Sequence, residues 1–311
     1  MYDIYFTDES GKIQKTDEII NGCWINLISP TEEEIIDFSS RLEIPLDFLK
    51  DPLDEEERSR IEKENDNVLI IVNIPLWSKE DESEIYDTIP LGIIITKECF
   101  LTVCLKDNPI FHLFQQNKVK QFYTFKKTRF ALQILYLTST FFLRYLKQIS
   151  KKTDRIEKEL HQSMKNKELF SLLNFEKSLV YFTTSLKSNN IVMNKMLKSN
   201  YLKMFDDDQE LLEDVIIENQ QAIEMSETHS SILSGMMDAF ASVISNNVNI
   251  VMKFLTSFTI ILALPTMVAS FLGMNVSIPY QNHQYAFLGA IIISGILSTF
   301  TAIIFWKKRF F

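Results

Sequence analysis

The feature that most restricts this chain is where its charges stop. All 41 acidic residues lie at or before Asp238, and residues 239–311 hold only Lys253, Lys307, Lys308 and Arg309 as charged groups. Residues 1–238 therefore carry 28 basic against 41 acidic side chains, a balance of −13, and the last quarter carries +4. Within that quarter, Phe254–Leu272 and Ala286–Trp306 are uncharged runs of 19 and 21 residues. Each is long enough to cross a hydrocarbon layer of about 30 Å as a helix. The alternative, an apolar core hairpin, would need two adjacent runs of spanning length inside a soluble domain.

The flanks set an expected orientation. Lys253 precedes the first run, Lys307, Lys308 and Arg309 follow the second, and the connector 276–285 has no Lys or Arg. The positive-inside rule then puts both termini in the cytoplasm, and the expected location is the plasma or inner membrane. Met1–Ser10 has acids and no apolar core, so no secretory signal is expected and the acidic part stays on the side where it is made. Cys23, Cys99 and Cys104 form no CxxC pair and are expected as reduced core residues.

The remainder reads as α+β. Cys23–Ile28, Val68–Leu76, Ile89–Thr96 and Cys99–Leu105 are apolar runs of buried-strand length. Between the first two, Ser29 is a candidate N-cap, with Pro30 at the first helical position and Glu32 closing a capping box. No Gly-rich phosphate loop, HExxH or Ser/His/Asp signature occurs, so nothing points to an enzyme. From Arg129 the pattern is helical. Arg129–Lys165 and Lys167–Ser199 are amphipathic segments hinged at Lys165-Asn166-Lys167, and a third runs from Asp206-Asp207-Asp208 without proline to Leu264. About 58 residues at ~1.5 Å each make that last segment a rod of nearly 90 Å. The expected divisions are a cytoplasmic α/β domain at 1–128, long antiparallel helices at 129–200 and a stalk running into the first span at 201–272. An outer loop at 273–285, a second span at 286–306 and a basic tail at 307–311 complete them.

Two stripes run along the rod at 3.5-residue spacing. Leu233, Met237, Phe240, Ile244, Val251, Phe254, Phe258 and Ile261 form an apolar seam. Asp238, Ser242, Ser245, Asn249, Met252, Thr256, Thr259, Ala263, Thr266 and Ser270 form a small or polar row that continues into the first span. Such a row suits either a hydrated axis shared by several copies or close helix packing in a bundle. A pore built from two spans per chain needs several subunits.

Gly273-Met274-Asn275 follows the first span directly. Here the chain resembles the CorA magnesium-transport family, whose signature is Gly-Met-Asn at the outer end of the first of two C-terminal spans. Pro265 and Thr266 within the span, the basic C-terminus and the preceding α/β region extend the resemblance over nearly the whole chain. It implies a homopentamer with an N-terminal α/β/α domain, stalk helices around the pore and the second spans as an outer ring. Its partners would be identical subunits, the lipid bilayer and divalent cations, with no nucleic acid.

Magnesium keeps its waters tightly, so an outer ring of Asn275 amides and Gly273 carbonyls would grip the hydrated ion, with Gly273 letting the chain turn out of the helix. By position, Asn249, Met252 and Leu255 match the family's pore constriction and Asp238 an acid at its cytoplasmic mouth. Asp214 matches a regulatory carboxylate of the stalk, whose partner falls among Glu80, Asp81, Glu82 and Glu84. The resemblance implies Mg2+ as cargo and regulator, with Co2+ or Ni2+ as further cargo and no organic cofactor. Leu272 and Val276 replace aromatic residues common in the family, Ala263 replaces a bulkier apolar residue, and the outer loop has no carboxylate. A proton-coupled zinc or other transition-metal transporter and a membrane-anchored scaffold are the competing readings. The first span has no His or Cys, and His283 is the outer loop's one candidate soft-metal ligand.

Overall fold

The computed structural model describes residues 2–80, 83–162, 166–199, 201–274, 284–308 and 310. The chain divides into two compact units, Met1–Ser234 and Gly235–Phe311.

The first unit is built on a seven-stranded sheet. Its strands are β1 (Tyr2–Thr7), β2 (Ile13–Thr16), β3 (Trp24–Ile28), β4 (Arg60–Glu64), β5 (Asn67–Glu80), β6 (Ser83–Ile95) and β7 (Phe100–Cys104), in the order β2-β1-β3-β7-β6-β5-β4. The β3–β7 pair is parallel, with Trp24 opposite Phe100, and the others are antiparallel. Alternation sends the side chains of β3 and β7 to opposite faces. Ile25, Leu27, Leu101 and Val103 join a core with Ile35 and Phe38 of α1 (Glu32–Leu42) and Phe48 and Leu49 of α2 (Leu46–Lys50). On the other face Trp24 lies among Phe111 and Phe114 of α3 (Pro109–Gln115) and Phe130 of α4 (Lys127–Gln162). Helices thus cover both faces, the α/β/α arrangement expected.

Helix α1 starts later than the sequence suggests. Its cap is Thr31, whose hydroxyl accepts from the Glu34 amide while the Glu34 carboxylate accepts from the Thr31 amide. Ser29 is held to the end of the sheet by its main-chain N–H, which donates to the Cys104 carbonyl, and has φ 43°, so it cannot open the helix.

Helix α5 (Asn166–Lys198) is tied to the sheet at several points, among them a buried side-chain amide, Asn189. Strand β4 ends opposite Ile71, leaving Asn73 of β5 with no neighbouring strand on that side. Asn189 fills the gap: its Oδ1 accepts from the Asn73 amide at 2.8 Å, and its Nδ2 donates to the Asn73 carbonyl at 2.7 Å. Both main-chain groups are satisfied by a side chain standing in for a strand. The three cysteines are free and buried, as expected. Helix α6 spans Asp206–Leu272 and α7 Ala286–Lys307.

Candidate functional site: the helix pair of the second unit

Helices α6 and α7 each hold a stretch long and apolar enough to cross a membrane, almost none of it buried within the chain. The covered positions of α7 are mostly small residues. On α6, Ser257 is fully buried, and Ile261, Leu264, Pro265 and Val268 are partly covered. On α7 the partly covered positions include Ala290, Ser294, Ser298 and Ala302, spaced four apart. Small side chains at this spacing let two helices approach closely where no hydrophobic effect drives them together. The large residues of α7, among them Ile292, Ile296, Phe300 and Ile303, stay exposed.

Pro265 has a specific partner across this contact. Proline has no amide hydrogen, so the Ile261 carbonyl one turn earlier loses its helical donor. The Ser298 hydroxyl donates to that carbonyl at 3.5 Å. In hydrocarbon an orphaned carbonyl costs several kcal/mol, so even this long bond is worth keeping. The i, i+4 repeat of small residues on α7 was the available sequence signal for this contact.

The polar row lies on the far side of α6 from α7. At 100° per residue, Thr259, Ala263, Thr266 and Ser270 stand roughly half a turn around from Ser257, Ile261, Leu264 and Val268. Asp238, Ser242, Ser245, Asn249, Met252, Leu255 and Thr256 continue the exposed face. Thr259, Ala263, Thr266 and Ser270, with Leu262, Met267 and Phe271, line an open groove of about 580 Å³. The Thr259 hydroxyl donates to the Leu255 carbonyl at 2.8 Å and that of Thr266 to the Leu262 carbonyl at 3.2 Å. With their hydrogens committed to the helix, both oxygens turn lone pairs outward as acceptors. Bare cations and water hydrogens both fit such a surface.

At the end of α6, Gly273 continues the helical pattern instead of turning out of it. Its amide donates to the Ala269 carbonyl at 2.9 Å, and it is not among the glycines with positive φ. A Cβ there would sit 3.2 Å from the Ala269 oxygen. Met274 is half exposed, and Asn275 lies outside the described residues.

The regulatory candidates fall in the first unit. Asp214 is exposed on α6. Glu84 is engaged: its Oε2 accepts from Lys152, from Trp77 Nε1 at 3.1 Å and from the Tyr86 hydroxyl at 3.4 Å. The Lys152 ammonium above all holds its carboxyl below the usual range. Asp81 and Glu82 lie outside the described residues. Among the described residues, no three His, Cys, Asp or Glu gather as metal ligands.

A sheet-and-helix unit followed by two apolar helices, the first bearing an exposed polar row, defines an integral membrane protein of the two-span transport class. The family model described as CorA-like Mg2+ transporter protein matches residues 21–309, and the chain belongs to this family of magnesium and cobalt transporters, which are not enzymes. It is 30% identical over 270 residues to the cobalt/magnesium transport protein CorA of Methanocaldococcus jannaschii, covering 85% of this chain and 83% of that one. Against the magnesium transport protein CorA of Helicobacter pylori it is 24% identical over 329 residues, 99% of each. The complete structure of the CorA magnesium transporter from M. jannaschii superposes with a TM-score of 0.83 at 26% identity, covering 99% and 98% of the two chains.

Proposed function

We propose that the protein is one subunit of a homopentameric channel that admits Mg2+, and with it Co2+ or Ni2+, to the cytoplasm and that cytoplasmic Mg2+ closes. The observation that carries this reading is the exposed row of acceptors on α6, turned away from α7. Five such rows around one axis would make a hydrated path with the second spans outside it. Magnesium sheds water reluctantly, and hydroxyl oxygens that accept from its waters guide the ion without stripping it. Gly273, Met274 and Asn275 would form the outer mouth, with Asn249, Met252 and Leu255 the narrow cytoplasmic stretch and Asp238 its inner end. The basic flanks put both termini in the cytoplasm.

The pore face is tested by cysteine accessibility in proteoliposomes. Thr259→Cys and Thr266→Cys should react with a water-soluble methanethiosulfonate at least about tenfold faster than Val268→Cys, because the reactive thiolate forms only where water solvates it. The native cysteines are fully buried and add little background. Equal rates at the three positions would remove the pore face.

Regulation is assigned to Asp214 with an acid of the Glu80–Glu84 region, bridged by Mg2+ between neighbouring subunits. When internal Mg2+ falls, the −13 portion repels itself and the stalks separate. Asp214→Ala should raise the internal Mg2+ needed for half-closure by about fivefold or more and weaken Mg2+-dependent protection against protease. No change in either measurement would make Asp214 an ordinary surface acid.

A further inference from the structure

The first unit contains a basic cavity. It has a volume of about 610 Å³ and lies where α4 begins, beside the connection from α5 to α6 and the ends of β4 and β6. That is the size of a pocket for a cofactor-sized molecule. In a region of net charge −13, it gathers Lys63, Lys126, Lys127, Arg129 and Lys203. Of its three carboxylates, Asp66 is bound to Lys97 at 2.7 Å and Asp208 to Arg129 at 3.5 Å, which leaves Asp207. Lys63, Lys126 and Lys203 are exposed and form no ion pair with a described carboxylate.

Two further observations show that the positive charge is built in. Lys127 is half-buried, with its ammonium donating to the Thr96 and Lys97 carbonyls at 2.7 and 2.6 Å, so one hydrogen remains for a ligand. The first turn of α4 contains no acid, so Lys127 adds to the positive end of its own helix, and the carboxylate that meets Arg129 there, Asp208, comes from α6. An anion in the cavity would relieve both.

The cavity also has aromatic walls. Phe125 is 52% and Phe205 69% exposed, unusual for rings with a cavity beside them, and Tyr201 is half-buried. Val68, Ile95 and Leu202 line the interior. The main chain at Phe125 is pinned against Gly22, where a Cβ would come within 2.8 Å of the Phe125 Cβ. Open rings beside lysines suit a ligand with both a flat π-face and several negative charges.

We propose that this cavity binds a nucleoside triphosphate, its phosphates held by Lys63, Lys126, Lys127 and Lys203 and its base stacked on Phe125. Occupancy would brace Tyr201–Phe205, the segment that leads directly into α6, and so connect nucleotide level to the helix that carries the polar row. Binding can be measured without any flux, so its outcome does not depend on the channel reading.

The test is calorimetric titration of the full-length protein in nanodiscs, with EDTA present, using ATP and inorganic triphosphate as separate probes. ATP should bind saturably and more weakly as salt rises. The double variant Lys126→Glu/Lys203→Glu should lose about tenfold or more in ATP affinity. Phe125→Ala should lose about fivefold or more for ATP and nothing for triphosphate, since only the nucleotide has a base to stack. All three positions are on the surface, so the variants keep the fold. Absence of saturable ATP binding at millimolar concentration, or unchanged affinity in the charge-reversed protein, overturns the site. Triphosphate binding as tightly as ATP, with no effect of Phe125→Ala on either, overturns the nucleotide.

Discussion

Replacing Asn275 with alanine is expected to lower Mg2+ flux into proteoliposomes by roughly one to two orders of magnitude. Hydrogen bonds to a charged group contribute about 1.5–3 kcal/mol each, and the waters of Mg2+ are strongly polarised donors. Loss of that grip at the outer mouth is therefore a ten- to hundredfold effect if one such bond sets the barrier. Asn275→Asp, though isosteric, is expected not to restore flux. Five carboxylates on one ring would repel one another when empty and hold the ion too strongly when filled, whereas conduction needs a site that releases. Flux and block by hexammine-cobalt, a rigid copy of the hydrated ion, should be compared in wild type, Asn275→Ala and Asn275→Asp. Wild-type conduction with the same cation preference in Asn275→Asp would show that attraction of charge, and not recognition of the water shell, governs the mouth.

The largest stability effect is expected at Trp24. Its ring is fully buried, with Phe130 at 5.2 Å edge-to-face and Phe111 and Phe114 beyond, and Phe100 stacks on Phe130 at 4.1 Å. Its Nε1 donates to the Thr102 hydroxyl at 2.8 Å, which donates in turn to Asn26 Oδ1 at 2.7 Å. Trp24→Ala leaves a cavity no neighbour can fill and removes the donor to Thr102, a loss of about 3–5 kcal/mol. In a unit of this size that lowers the melting temperature of the sheet domain by roughly 6–20 °C. Trp77 provides the control, being 46% exposed with its Nε1 on Glu84. Trp77→Ala should cost no more than about 1 kcal/mol. Equal shifts for the two variants, followed by protease susceptibility of the full-length protein, would contradict the packing of Trp24 as a core contact.

The strands that apolar runs announce are those buried on both faces. β3, β6 and β7 appear within one or two residues of their runs at one end or both, and the run at Val68–Leu76 begins at the second residue of β5 and stops four residues short of its end. β4, with the sequence RIEKE, and β2, with IQKT, lie at the two edges of the sheet. An edge strand pairs on one side and meets water on the other, so no apolar run marks it. α3 is too short for a helical period to register, and only Asn108 at its cap and Pro109 at its first position mark it. At α1 two Ser/Thr-x-x-Glu patterns overlap, 29–32 and 31–34. Nothing local separates them; the hydrogen bond between Ser29 and Cys104 does.

The family signature and the polar row were legible because both are local in the chain: a tripeptide after a span, and a repeat set by helical geometry alone. What covers each face of α6 was not. Of the expected apolar seam, Val251, Phe254 and Phe258 are exposed in the single chain, while Ile261 meets α7 through its carbonyl, which accepts from Ser298.

The sequence by itself determined that two uncharged spans follow an acidic α/β and helical region, since span length and charge placement are one-dimensional quantities that solvent and lipid read directly. It also determined the periodicity of α6, because helical pitch converts spacing into a face without outside help. Only the tertiary structure decided that Ser298 answers the carbonyl freed by Pro265, that Asn189 stands in for a missing strand, and that five cations meet open rings beside the start of α6. Each of these joins residues from separate elements, and which of many chemically equivalent donors satisfies an orphaned group is settled by packing in three dimensions.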